Sequence, residues 1–312
     1  MKIAHLSDLH FCSSFKRNNI GKTKRILKYA LEKGFDHLVI TGDVSDNSEV
    51  RDYITLRRML ETFNLLDPKK TSIIIGNHDI FGGAQRAMDV VNFPSKCIQT
   101  DYQQKVREFG EYFRELFDGV YRPTADKLFP YAKKVGDIVL IGLNSIDTYS
   151  RIKNPFASNG RVSKEEFQNL KIIFDQVEFQ GKKKCVLIHH HFYKNNIEAT
   201  ASKSMLWNKI EGYTLKLRGK KKLLRLFTSN DVVAVFHGHS HEIKEYYRKK
   251  IKFFNAGATI DNGDETKASL FFVDITSEGI DSELKTLSTV KIRMPEGNPI
   301  LFRQKSLYAE VS

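Results

Sequence analysis

With 312 residues, 41% of them apolar, the chain has ample material for a packed core, which excludes disorder as its main state. No apolar run approaches the ~20 residues of a membrane-spanning helix, and no basic segment leads into an apolar stretch with a small-residue cleavage site, so a soluble, cytoplasmic protein is expected. A formal charge of +13 serves solubility and would also draw in a partner rich in phosphate.

Apolar runs and helical periodicity predict a strand near 2–7, a helix near 21–33, a strand near 37–41, a helix near 50–65 and a strand near 71–75. That alternation implies a largely parallel sheet with helices on its faces. From about Phe81 to Pro130 the rhythm breaks, and one helix, QQKVREFGEYFRELF, is predicted there with Val106, Phe109, Phe113, Leu116 and Phe117 as packing residues. PYAKKV and DIVLIGLNS read as strands, Ser163 with Glu166 as a capping box opening a helix, and KKCVLI as a buried strand. A less regular insertion lies between Phe192 and Leu215, with Met205, Leu206, Trp207, Ile210 and Tyr213 read as core contacts and an apolar cap as the alternative. It precedes KLRGKKKLLRLF, read as a basic helix with a solvated face.

VVAVF is the next strand, and EIKEYYR, KFFNAG, SLFFVDI and ELKTL then alternate without helices between them, which predicts a mixed or antiparallel second sheet. The fold class expected is α/β, a single domain over 1–312 of two mixed sheets flanked by helices, with insertions near 81–130 and 192–215 and a basic tail from about 290. Cys12, Cys97 and Cys185 lack CxxC spacing and read as reduced thiols.

Chemistry-bearing residues recur where these strands end. The blocks are SDLH (Ser7 to His10), GDVSD (Gly42 to Asp46), GNHD (Gly76 to Asp79), HHH (His189 to His191) and HGHSH (His237 to His241). Asp8, Asp43 and Asn77 lie 35 and then 34 residues apart, the length of a strand, a crossover helix and the next strand. Right-handed crossovers would set those strand ends side by side on one sheet edge, where open α/β folds keep their ligands. Mixed imidazole, carboxylate and amide oxygen donors without thiolate suit manganese, iron or zinc.

Together the blocks resemble the calcineurin-like metallophosphoesterase superfamily, whose pattern D-x-H, G-D, G-N-H-[DE], H, G-H-x-H they match from about Lys2 to Asp274. The resemblance implies a four-layer αββα fold and two divalent metal ions. It gives Asp8, His10 and His241 to one ion, Asn77, His189 and His239 to the other, and Asp43 to both. His78 matches the position that contacts the phosphate and protonates the leaving group, with Asn77 beside it and Asp79 orienting or polarising the imidazole. Many relatives read His-His-Pro in the third block; here His189 is taken as the ligand because it directly follows CVLI, with His190 beside the phosphate as the alternative. His237 is read as a packing residue.

Two ions bridged by a carboxylate could activate a shared hydroxide for in-line attack and neutralise the leaving oxygen. With two aspartates and one hydroxide the site would keep a charge of about +1, which suits a monoanionic diester. The order of the blocks, LIGLNS and the NAG turn at Asn255 to Gly257 most resemble the bacterial cyclic nucleotide phosphodiesterase branch, so a phosphodiesterase acting on a nucleotide-like diester is expected. A pyrophosphohydrolase of lipid A precursors (UDP-diacylglucosamine) and a nucleic-acid-binding nuclease are the alternatives. The basic segments leave nucleic acid or an anionic membrane surface open as partners, and no obligate protein partner is implied.

Overall fold

The computed structural model describes residues 1–12, 16–83, 87–193 and 216–288. β1 (Lys2–Leu6), β2 (His37–Thr41) and β3 (Thr71–Ile74) run parallel, joined by α1 (Arg17–Lys33) and α2 (Val50–Thr62). β12 (Lys267–Ile275) and β13 (Ile280–Ser288) add antiparallel strands, giving a first sheet of order β13-β12-β1-β2-β3. β4 (Tyr131–Val135), β5 (Ile138–Gly142), β7 (Lys183–Leu187), β9 (Val232–His237), β10 (Ile243–Arg248) and β11 (Ile251–Ala256) form the second, of order β10-β11-β9-β7-β5-β4. A short parallel ribbon, β6 (Gly160–Arg161) with β8 (Leu217–Arg218), stands apart.

Strand alternation assigns each face of the second sheet. Leu140, Cys185, Leu187, Ala234, Phe236 and Phe254 join the core shared with the first sheet, while Val139, Ile141, Val186, Val235 and Phe253 pack under α6 (Lys164–Phe174) and α7 (Lys220–Thr228). Both faces being covered explains why the parallel strands read as unbroken apolar runs. The result is two mixed sheets flanked by helices, and none of the helices among the described residues is long and apolar enough to cross a membrane.

Three expectations are corrected. The tail strands do not build a sheet of their own: β10 and β11 extend the second sheet, whereas β12 and β13 cross back to the first, where β12 pairs with β1. Strand count alone carries no information on which edge a hairpin joins. The basic segment starts as β8, and its helix begins only after Gly219, whose left-handed φ of 76° separates the two elements. The insertion after Phe81 holds α4 (Ala87–Gln99), hidden from sequence reading by Pro94 inside it, and α5 (Tyr102–Tyr112), which tightens into a 3-10 turn at Arg114–Phe117. The apolar stretch Met205 to Tyr213 and the tail from 290 lie outside the described residues.

β3 is an edge strand, and residues of β4 cover it. Tyr131 donates its hydroxyl to the carbonyl of Ile73 at 3.0 Å, and the Lys133 ammonium donates to the carbonyls of Thr71, Pro68 and Leu116 at 2.7, 2.9 and 3.2 Å. This clip keeps β3, and with it the following GNHD turn, against the second sheet. Lys133→Met removes the donors from a buried position and is expected to lower unfolding free energy by about 1–3 kcal/mol, as read from urea denaturation.

Candidate metal centre

All the predicted ligands stand where parallel strands end: Asp8 and His10 after β1, Asp43 after β2, Asn77 after β3, His189 after β7, and His239 and His241 after β9. Asp8, His10, Asp43, His239 and His241 have φ of 53°, 44°, 52°, 75° and 48°. The left-handed region is costly for residues with a Cβ and is most accessible to Asn, Asp and His. Each turn is tied to the next by backbone hydrogen bonds, Asp8 N to Gly42 O (3.1 Å), His10 N to Asp43 O (2.9 Å) and Gly238 N to His189 O (3.0 Å). Glycines allow the close approach: a Cβ on Gly238 would fall 2.1 Å from Asp8 Oδ2, and one on Gly76 the same distance from Asp43 Oδ1.

Asp43 lies at the middle, 1% exposed. Its Oδ1 accepts the backbone N–H of His78 at 2.8 Å, which leaves Oδ2 3.2 Å from His189 Nε2 and 3.7 Å from His10 Nε2. On one side, ligand atoms of Asp8, His10 and His241 lie within 4.8 Å of one another; on the other, those of Asp43, His189 and His239 do so. Asn77 joins the second group, its Oδ1 3.1 Å from His189 Nε2.

The placement of protons tests whether cations fit. His189 Nδ1 is 2.8 Å from the carbonyl of Thr41, which can only accept, so Nδ1 carries the proton. A neutral ring then turns a bare Nε2 toward Asp43 Oδ2, Asn77 Oδ1 and, at 3.2 Å, His239 Nδ1. The lone pairs of His189 Nε2, Asp43 Oδ2 and Asn77 Oδ1 then converge, and His239 Nδ1 donates or accepts according to its tautomer. His10 is placed similarly: its Nδ1 lies 3.1 Å from Asp46 Oδ1 and its Nε2 3.7 Å from Asp8 Oδ1 and from Asp43 Oδ2, contacts between charges, since neither buried nitrogen has the alignment of a hydrogen bond. A cation must fill each gap, either a second ring proton or a metal ion.

The pKa directions agree. Burial opposes charge on His10, yet the contact with Asp46 and the nearby Asp8 and Asp43 push it up to about 10. Burial likewise opposes charge on His189, but Asp43 raises it to about 9. Burial also works against the Asp43 carboxylate, and the adjoining histidines, His189 foremost, hold it well below the ordinary range. The donor set therefore fits two divalent ions, each next to a histidine whose far nitrogen is fixed by an acceptor.

Around this centre the other predicted residues are placed differently from expectation in two cases. Adjacency assigns Asp79 to the His78 ring, but its carboxylate accepts from Ser45 N and Gly76 N, both at 2.9 Å, as the third residue of α3 (Asn77–Phe81) reaching back to the N-cap. Burial, then the charge of Asp43, pushes its pKa up to about 7. The group on the His78 ring is Asp46, whose carbonyl lies 3.0 Å and whose Oδ1 lies 3.7 Å from Nδ1. His190, placed beside the phosphate from sequence, is fully buried with Nδ1 on Ser145 Oγ (2.8 Å) and Nε2 on Ser158 O (3.2 Å). His189 turns its Nε2 into the centre, whereas His190 packs its ring on His239 with centroids 4.2 Å apart and has both nitrogens occupied by Ser145 and Ser158. His237 bonds Tyr246 OH at 2.8 Å, as a packing residue does. Asp46 is the residue that sequence reading missed; its signal was its place three residues after Asp43 in GDVSD.

Comparison with known proteins agrees with this geometry. A search of curated proteins finds no significant match. Among solved structures, a dimetal phosphatase from Danio rerio is similar, with a TM-score of 0.59 and 11% identity over 92% of this chain and 98% of that one. A purple acid phosphatase, PPD1, from Lupinus luteus seeds gives a TM-score of 0.51 and 13% identity over 93% of this chain and 54% of that one. At such identities the likeness speaks for the fold. The profile of the calcineurin-like phosphoesterases matches residues 1–242, and the chain belongs to that family of phosphoester hydrolases, which implies a dinuclear divalent metal centre.

Proposed function

We propose that the protein is a phosphodiesterase acting on a small, nucleotide-like phosphodiester. The observation that carries this reading is Asp43 Oδ2, which lies 3.2 Å from His189 Nε2 and 3.7 Å from His10 Nε2, between the two groups of ligand atoms. Asp8, His10 and His241 would hold one divalent ion, Asn77, His189 and His239 the other, and Asp43 both. Two such ions would neutralise the attacking and leaving oxygens of an in-line displacement and lower the pKa of water enough for attack near neutral pH. Manganese, iron and zinc all suit the donors.

The chain's own residues do the rest. Asp43 keeps the two groups in register, because His78 N–H fixes one of its oxygens and leaves only the other for sharing. His78 holds its Nδ1 proton on the Asp46 carbonyl, so Nε2 is the nitrogen available to pass a proton to the departing oxygen as the phosphorus–oxygen bond breaks. Burial lowers the pKa of His78, and the Asp43 and Asp46 carboxylates beside the ring oppose that shift, so the doubly protonated ring that acts as the acid depends on them. With only two aspartates among the seven ligands, the centre keeps positive charge for an anionic diester. Of the basic segment, Lys220 bonds the Tyr193 carbonyl at 2.9 Å and Lys222 lies 4.0 Å over the Phe167 ring, which supports a surface helix anchored to the body.

The protein purified without chelator is expected to hydrolyse bis(p-nitrophenyl) phosphate with added manganese, at higher kcat/KM than p-nitrophenyl phosphate; a preference for the monoester would refute the diester assignment. Asp43→Ala is expected to abolish this activity while circular dichroism shows an intact fold.

A second test isolates the acid. His78→Ala should reduce turnover of a diester with an alkyl leaving group by about 10²–10⁴-fold, and turnover of the nitrophenyl ester by less, since nitrophenolate departs without a proton. Equal losses on both esters would remove His78 from that role.

A further inference from the structure

We propose that Lys16 is a positioning residue for one half of the metal centre, acting on His10 through Asp46 and on His241 through Asp261; this rests on the metal-centre reading above. Lys16 immediately precedes α1, far in sequence from every ligand except Asp8 and His10. Its ammonium lies 2.9 Å from Asp46 Oδ1 and 2.7 Å from Asp261 Oδ2, and three donors allow it to bond both.

The two carboxylate residues lead to different histidines. Asp46 Oδ1, the oxygen that Lys16 holds, is also the one that faces His10 Nδ1 at 3.1 Å. That contact decides which way the His10 ring turns and sends Nε2 toward Asp8 and Asp43. Asp261 lies between β11 and β12, and its backbone carbonyl is 3.5 Å from His241 Nδ1. His241 is exposed, unlike the other six predicted ligands, so little packing fixes its ring, and it stacks on His10 with centroids 5.2 Å apart. Lys16 is thus a strut between the acceptors behind both rings.

Among the described residues no such contact links Lys16 to the other half, where His189 is oriented by Thr41 and His239 packs against His189 and His190. Its loss should therefore weaken one ion and spare the other. Nearby Lys22 provides a control. It reaches the same loop, at Asn262 Oδ1 (3.2 Å) and the Asp264 carbonyl (2.8 Å), and touches neither Asp46 nor a histidine.

The test is calorimetric titration of the metal-free protein with manganese, with elemental analysis after buffer exchange. Wild type is expected to take up two ions; uptake of none would overturn the metal-centre reading and this inference with it. Lys16→Met is expected to bind one ion as wild type does and the other about 10- to 100-fold more weakly, the usual effect of removing a group that orients a ligand. Lys16→Arg, which keeps a cation able to meet two carboxylates, should recover part of the loss. Asp261→Asn weakens the same strut by a separate route and should shift the same ion in the same direction. Lys22→Met should bind both ions normally. The inference fails if Lys16→Met binds both ions with wild-type affinity, or if Lys22→Met loses as much as Lys16→Met.

Discussion

A buried carboxylate shared between two sets of imidazoles is the constraint from which the rest of the structure follows. Asp43 is almost wholly removed from water, and an ionised group there is tolerated only with compensating charge and hydrogen bonds. One of its oxygens is satisfied by the His78 amide. The other has only nitrogens whose protons, on His189 and His10, are drawn to the far side by Thr41 and Asp46. The protein has thereby built a place that requires positive charge and has aimed lone pairs at it from both directions. Either ring could relieve the site by taking a second proton, which is the state their raised pKa values describe; a divalent ion relieves it more completely, since it accepts several lone pairs at once.

Holding that arrangement costs backbone strain. Five of the seven ligand candidates sit in the left-handed region, a conformation worth about 1–3 kcal/mol each when the residue is not glycine. The strain persists because the surroundings determine these turns several times over. Backbone bonds continue from strand to strand beyond the sheet edges, Asn19 donates to the carbonyls of Leu9 and His10 at 3.0 and 3.2 Å, and Gly42, Gly76 and Gly238 bring neighbouring turns into contact. Short, sharply turned loops are the consequence, and they direct side chains more narrowly than long loops would.

Much of this was legible in the sequence because it depends on local rules. Parallel strands buried on both faces announce themselves as apolar runs, and ligands at their C-terminal ends follow from how crossovers align those ends, so the seven candidates and the family could be read before any coordinates. What stayed hidden depends on which partner a group finds across the fold. Adjacency in sequence points Asp79 at the His78 ring, yet a carboxylate at the third position of a helix is claimed first by the free amides at the helix start. His190 carries the right chemistry, but Ser145 and Ser158, distant in sequence, occupy both of its nitrogens. Lys16 and Asp261 are 245 residues apart, and nothing in either segment signals the pair. The return of β12 to the first sheet is hidden for the same reason: its nearly unbroken buried run would fit either sheet, and only pairing with β1 decides.

The distribution of ligands between the sheets carries a further consequence. Asp8, His10, Asp43 and Asn77 come from the first sheet, and His189, His239 and His241 from the second, so each cluster draws on both. The aspartates all stand on the first sheet's edge, with Asp46 and Asp79 behind them, while the second contributes only imidazoles. Negative charge is thus concentrated on one wall of the cleft and neutral donors on the other. The relative position of those walls is set by the core between the sheets, where His5 of β1 meets Phe236 of β9 edge-on at 5.1 Å and Phe254 of β11 meets Phe271 of β12 at 5.9 Å. Close-packed interiors transmit small displacements instead of absorbing them. The spacing of the two clusters is accordingly a property of sheet packing as much as of the ligands, and the aromatic contacts beneath the centre belong to its construction although none of them reaches it.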